Sequence, residues 1–186
     1  DFSTLSLRRQ YCGEELRLNR RLAEDWYLDI VAINGSIEQP RIGGVGETIE
    51  YAVKMRQFPN AMTLKDRIKS GAVGQNEIDR ISDLLADFHS NVAKADSNSP
   101  YGDSVNIKHW FDENFHHIRP RLQDARQRRQ LKSVEDWGQS EWQKQAGMMA
   151  QRKSEGFVRE CHGDMHLGNM TFVNGDIILF DCIEFN

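Results

Sequence analysis

Apolar and polar positions alternate along this chain with two different periods, and the changes of period mark its elements. Leu7, Tyr11, Leu18 and Leu22 fall within about 60° of one another at about 100° per residue, the stripe of a helix over residues 4–23. Thr4 and Ser6 are its candidate caps, and Arg8, Arg9, Arg17, Arg20 and Arg21 cover much of the remainder. Residues 26–34 are β-branched and aromatic and end at Asn34-Gly35, a strand followed by a turn signal. Residues 48–56 alternate strictly, with Ile49, Tyr51, Val53 and Met55 on one face of a half-buried strand. The Gly-rich stretch from Arg41 to Glu47 reads as the loop of an antiparallel pair. Gly43-Gly44-Val45-Gly46 also has the composition of a phosphate cradle, but no helix start follows it, which favours the plain loop. Phe58-Pro59-Asn60 then breaks regularity.

From Thr63 the period becomes helical. The segment 63–70 is a short helix stopped by Gly71, and 75–94 a longer one whose core stripe is Ile78, Ile81, Leu85, Phe88 and Val92. Helices are expected at 104–117, 120–132 and 136–154, punctuated by Pro120 and Gly138. Phe157 to Cys161 reads as a short strand. Val173-Asn174-Gly175-Asp176-Ile177 is a hairpin signal, and Ile177 to Phe180 a buried strand. Helix, two strands, a helical block and a terminal hairpin make an α+β layout with a small sheet in each half.

Composition narrows the classes. The 24 Lys and Arg against 28 Asp and Glu give a net charge of −4, which excludes whole-chain attraction to nucleic acid. No apolar run approaches the ~20 residues of a membrane span. Three cysteines, Cys12, Cys161 and Cys182, make no disulfide framework and point to a reducing, cytoplasmic compartment. Residues 119–132 hold five Arg, one Lys and one Asp, a local charge of +5 that reads as a solvated helix face rather than an anion-binding surface. Trp110, Trp137 and Trp142 are read as packing residues and His89 as a hydrogen-bonded residue at the core edge.

The chemistry is concentrated in Cys161-His162-Gly163-Asp164-Met165-His166-Leu167-Gly168-Asn169 and in Phe180-Asp181-Cys182-Ile183-Glu184-Phe185. A loop presents Asp164 and Asn169, and a hairpin returns the chain so that Asp181 lies near the start of that loop. The three side chains offer hard oxygen ligands suited to Mg²⁺. Phosphoryl transfer needs such a set: one carboxylate to orient an attacking hydroxyl and accept its proton, and further oxygens for Mg²⁺ on the ATP phosphates.

His162-Gly163-Asp164-x-His166-x-Gly168-Asn169, with Asp181 downstream, resembles the catalytic loop and metal aspartate of the aminoglycoside phosphotransferase-like kinases, which have the bilobal protein-kinase-like fold. The resemblance implies that Asp164 is catalytic and that Asn169 and Asp181 bind Mg²⁺. It makes His162, His166 and Glu184 supporting residues. Cys12-x-x-Glu15-x-x-Leu18-Asn19-x-Arg21-Leu22 resembles the glutamate-bearing N-lobe helix in a bacterial subgroup that carries a P-loop ATPase domain downstream. Periodicity does not separate Glu14 from Glu15, each about 50° from the centre of the apolar stripe. The subgroup pattern favours Glu15 as partner of the ATP-binding lysine. Strand 48–56 with Gln57 and Phe58 resembles the strand and hinge that hold adenine.

On this resemblance residues 1–58 are a partial N-lobe of helix, strands and hinge, and residues 59–186 a helical C-lobe. The family's Gly-rich loop and lysine strand would lie upstream of Asp1, and the ATPase domain downstream of Asn186. The chain is therefore expected to be an internal piece of a larger protein and inactive alone. The expected activity is ATP- and Mg²⁺-dependent transfer of a phosphoryl group to the hydroxyl of a small molecule. Two other readings share the residues. One is a non-catalytic kinase-like module regulating an attached ATPase. The other is a dinuclear phosphoesterase with Asp164, His166 and Asn169 as ligands, joined by His109, His116 or His117. Zinc held by Cys161, Cys182, His162 and His166 lacks the paired-cysteine spacing, so both cysteines are read as small buried residues.

Overall fold

The structure, a computed structural model, describes residues 2–58 and 63–183. It is α+β, with a three-stranded and a two-stranded sheet, both antiparallel. Two compact units are present, Asp1–Asp87 with His162–Asn186, and Phe88–Cys161. In the first unit the terminal hairpin groups with the first helix and sheet.

In the first unit, α1 (Leu5–Ala23) starts where the Thr4 hydroxyl accepts from the Leu7 N–H at 3.2 Å. Its stripe buries Leu18 and leaves Leu7, Tyr11 and Leu22 half-buried. β1 (Tyr27–Gly35) pairs with β3 (Thr48–Met55), with Ile30 opposite Val53 and Ala32 opposite Tyr51. β2 (Pro40–Ile42) adds a short edge that alternation did not announce, because three exposed residues carry no burial pattern. The Gly-rich stretch connects β2 to β3, and the Asn34 Nδ2 ties it down by donating to the Gly44 carbonyl at 2.8 Å. Arg8 on α1 pairs with Glu50 on β3 at 2.8 Å, and Arg9 lies over the Tyr51 ring.

α2 (Leu64–Lys69) is capped by Thr63 and ends at Gly71, whose φ of +71° suits the reversal. The break expected at Pro59-Asn60 lies outside the described residues. α3 (Gln75–Asn91) follows. Its stripe is narrower than periodicity implies: Ile81 and Phe88 are buried, Ile78 is exposed.

β4 (Met170–Val173) and β5 (Asp176–Leu179) form the hairpin, turning through Asn174 and Gly175 at φ +52° and +92°. Two positive φ values in succession are what a two-residue hairpin turn requires, and Asn-Gly supplies them at least cost. The hairpin is covered on both faces. Ile178, Val173 and Phe180 join Ala23, Tyr27 and Phe58 in one cluster. Leu179, Met170, Phe172 and Ile177 join Leu64 and Ile81 in the other. Burial on both sides explains why residues 177–180 are uniformly apolar rather than alternating.

The second unit pairs α4 (Ser104–Ile118) with α5 (Ala125–Ser154). Two helices were expected where α5 is continuous over 30 residues. Gly138 does not break it, because a glycine costs a helix only about 1 kcal/mol and here it permits close packing. A Cβ at Gly138 would lie 2.2 Å from Cζ of Phe111 on α4. The helix ends at Gly156 (φ +76°), where the Gly156 and Phe157 amides donate to the Lys153 and Arg152 carbonyls. Lys153 is buried and donates to the Asp103 carboxylate at 2.5 Å. Trp142 donates its Nε1–H to the Ser104 carbonyl at 2.8 Å. Trp110 and Trp137, expected to be packing residues, are exposed. The strand expected at Phe157–Cys161 reduces to one bridge, Lys94 with Arg159, since the segment has no partner long enough for a ladder. The basic run 119–132 lies on the surface, with Arg119 paired to Glu135 at 2.7 Å.

Candidate functional site

The loop between Cys161 and β4 is held by the side chains of His162, His166 and Asn169 bonding to backbone, and by the segment that returns past it. His162 is 1% exposed. Its Nε2 lies 3.0 Å from the Phe180 carbonyl, which can only accept, so Nε2 carries the proton. That leaves Nδ1 to accept from the Asp164 N–H at 3.4 Å. Burial pushes the His162 imidazole below its ordinary pKa, partly opposed by the Phe180 hydrogen bond, so the ring is held neutral. One ring thus joins the amide of Asp164 to the residue before Asp181.

Asp164 and Asn169 meet. The Asn169 Nδ2 donates to the Asp164 carbonyl at 3.1 Å and lies 3.4 Å from the Asp164 Oδ2. Asn169 is 5% exposed, Asp164 half-buried. With Nδ2 committed to Asp164, Oδ1 is the atom by which Asn169 would bind a metal. His166 turns its Nδ1 to accept from the Gly168 N–H at 3.0 Å and brings its Nε2 within 3.7 Å of the Asp164 Oδ2. Gly168 lies against this ring: a Cβ there would be 2.8 Å from it.

Asp181 follows β5 with φ +66° and is exposed. The Phe180 N–H donates to the Asn169 carbonyl at 3.0 Å, and the Ile183 N–H to the His162 carbonyl at 3.0 Å, so the return strand is laced to the loop on both sides of Asp181. Glu184 lies outside the described residues.

Of the upstream candidates, Glu14 is paired with Arg17 along the helix at 2.8 Å. Glu15 is near enough to Tyr27 for its charge to act on the phenol, which separates two glutamates that periodicity left equivalent. Phe58 stacks on Trp26 at 4.6 Å and meets Phe180 at 4.9 Å, so the segment after β3 reaches the residue before Asp181. Gln57 is exposed. Cys182 is buried and Cys161 exposed, so only one of the two fits the reading as a buried small residue. Burial pushes the Cys182 thiol up, away from reactivity.

Tyr27 is not among the sequence candidates, and Asn19 enters there only as one letter of the helix pattern around Glu15, yet both bond to the backbone of the Asp181 segment. The available signal was an asparagine beside Leu18 in a helical stripe, a position where a polar side chain needs a buried partner.

Among the described residues no three His, Cys, Asp or Glu side chains converge as a metal cluster. The set Asp181, Asn169 and Asp164 is all hard oxygen donors on hydrogen-bonded backbone, chemistry that fits one or two Mg²⁺ ions shared with phosphates.

No family model matches the chain, and no solved structure matches it. Similar sequences include "Uncharacterized protein Rv2004c" of Mycobacterium tuberculosis and "Uncharacterized protein Mb2027c" of Mycobacterium bovis. Each is 25% identical over 185 residues, covering 100% of this chain and 36% of the relative. The chain thus spans about a third of the length of these relatives. Among the described residues no helix is long and apolar enough to cross a membrane.

Proposed function

We propose that this chain is part of a kinase of the aminoglycoside phosphotransferase-like kind, with a protein-kinase-like fold, that transfers the γ-phosphoryl group of ATP to a hydroxyl of a small molecule. The observation that carries the reading is the Asp164–Asn169 contact within a loop laced to the segment bearing Asp181. Asp164 orients the acceptor hydroxyl and takes its proton as the oxygen attacks. Asn169 and Asp181 supply the oxygens that would hold Mg²⁺, which neutralises charge on the ATP phosphates when bound. Glu15 is the partner of a lysine outside this chain. Gln57 and Phe58 supply the hinge backbone against adenine, and His162 fixes the loop. His166 orients Asp164 and, with Glu184, supports the site. A reaction that consumes ATP belongs in the cytoplasm.

The reading is tested on the full-length protein. Calorimetry should detect Mg-ATP binding, and a panel of hydroxyl compounds with labelled ATP should reveal the acceptor. Asp164→Ala should then lower turnover by about 10²–10⁴-fold while nucleotide affinity is kept. Unchanged phosphorylation by Asp164→Ala would sink the assignment. Nucleotide binding without turnover across the panel would favour a regulatory module instead.

A further inference from the structure

Four successive amides, from Phe180 to Ile183, are each bonded, but not all to the hairpin and its loop. Those of Phe180 and Ile183 go to loop carbonyls. The two in the middle go to side chains from elsewhere in the same unit. The Asp181 N–H donates to the Tyr27 hydroxyl at 3.2 Å, and the Cys182 N–H to the Asn19 Oδ1 at 2.9 Å. Tyr27 is 2% exposed and Asn19 fully buried. The Asn19 amide is itself oriented, because its Nδ2 donates to the Glu15 carbonyl at 2.9 Å on α1. Between these two anchors Asp181 takes a left-handed φ of +66° that a residue with a side chain adopts at a cost. Asn174, the other such residue among those described, is explained by its hairpin turn. No turn explains Asp181, whose carboxylate is presented to solvent from a backbone held on every side.

We infer that Tyr27 and Asn19 are positioning residues for Asp181: they hold its main chain in the left-handed conformation that sets the direction of its carboxylate, and so fix the affinity of the site for a divalent cation. The inference rests on the kinase reading above. It makes α1, through Asn19 and the Glu15 carbonyl, the support of the metal-binding aspartate. Losing such a bond costs stability like any buried hydrogen bond, and a loss of metal affinity in the folded variant is what separates this role from ordinary burial of polar groups.

The test is Mn²⁺ binding to the full-length protein, followed by electron paramagnetic resonance with a non-hydrolysable ATP analogue. Tyr27→Phe keeps the ring and removes only the acceptor, and should weaken Mn²⁺ binding about tenfold. Asn19→Ala should weaken it at least as much. Val173→Ala, a core change in the same hairpin, should lower the melting temperature and leave Mn²⁺ affinity unchanged. Wild-type affinity in both Tyr27→Phe and Asn19→Ala, with Asp181→Asn having lost it, would overturn the inference and leave the kinase reading standing. If Asn19→Ala does not fold, Tyr27→Phe decides. No nucleotide-dependent Mn²⁺ binding by the wild type would overturn the kinase reading, and this inference with it.

Discussion

His162 is buried, neutral and joined to both segments of the site, so its protonation state couples the site to folding. Burial, the first cause, holds its folded pKa below the ordinary imidazole value of about 6.5. Below that value the unfolded chain binds a proton that the folded chain resists. The stabilisation is therefore fully present above about pH 6.5 and is lost as pH falls toward the folded pKa. Urea unfolding of wild type and His162→Gln across this range should give a difference that shrinks on the acid side. A pH-independent difference would show that the ring is not held neutral. The residue types of the site were legible in sequence, because six fixed letters in eight positions carry their own chemistry. The hydrogen-bond partners were not: Tyr27 is 154 residues from Asp181 in sequence, and nothing local marks the pair.

Elements followed periodicity where one face meets one core. The first helix, the strands at 27–35 and 48–55, and the hairpin appear close to their expected bounds. The break expected between residues 132 and 136 is absent, and Gly138, inside the continuous helix, admits the Phe111 ring. Gly138→Ala gains helix propensity but forces that ring to move, and overpacking of this kind costs about 1–3 kcal/mol. The variant should melt several degrees lower, and Phe111→Leu in the same background should restore part of the loss. A melting temperature equal to or above wild type would mean that the helices part without cost. The exposed Trp110 and Trp137 have the same lesson in reverse, since an aromatic on a helix reports amphipathicity and not which face finds a partner.

At the scale of the molecule, the hairpin belongs with the first helix and sheet, although about a hundred residues separate them in the chain. Leu64 at the start of α2 is 1% exposed and packs with Leu179 and Met170 of the hairpin. Leu64→Ala should cost about 2–5 kcal/mol, a range set by how far the site collapses. Hydrogen exchange should show the lost protection in β4 and β5 as well as in α2. Loss confined to α2 would mean that the two segments are not one cooperative unit.

Residue order alone yields the α+β class, most of the elements, and the identity of the oxygen-bearing residues around the terminal hairpin. Periodicity, turn chemistry and side-chain type are local properties and can be read in order. The packed fold settles that Glu14 pairs along its helix while the Glu15 charge acts on Tyr27, and that Asn19 and Tyr27 bond to the backbone of the Asp181 segment. It also settles that α5 runs unbroken through residues 133–135. Each depends on which distant surface arrives to satisfy a polar group or fill a gap, and folding of the whole chain determines that.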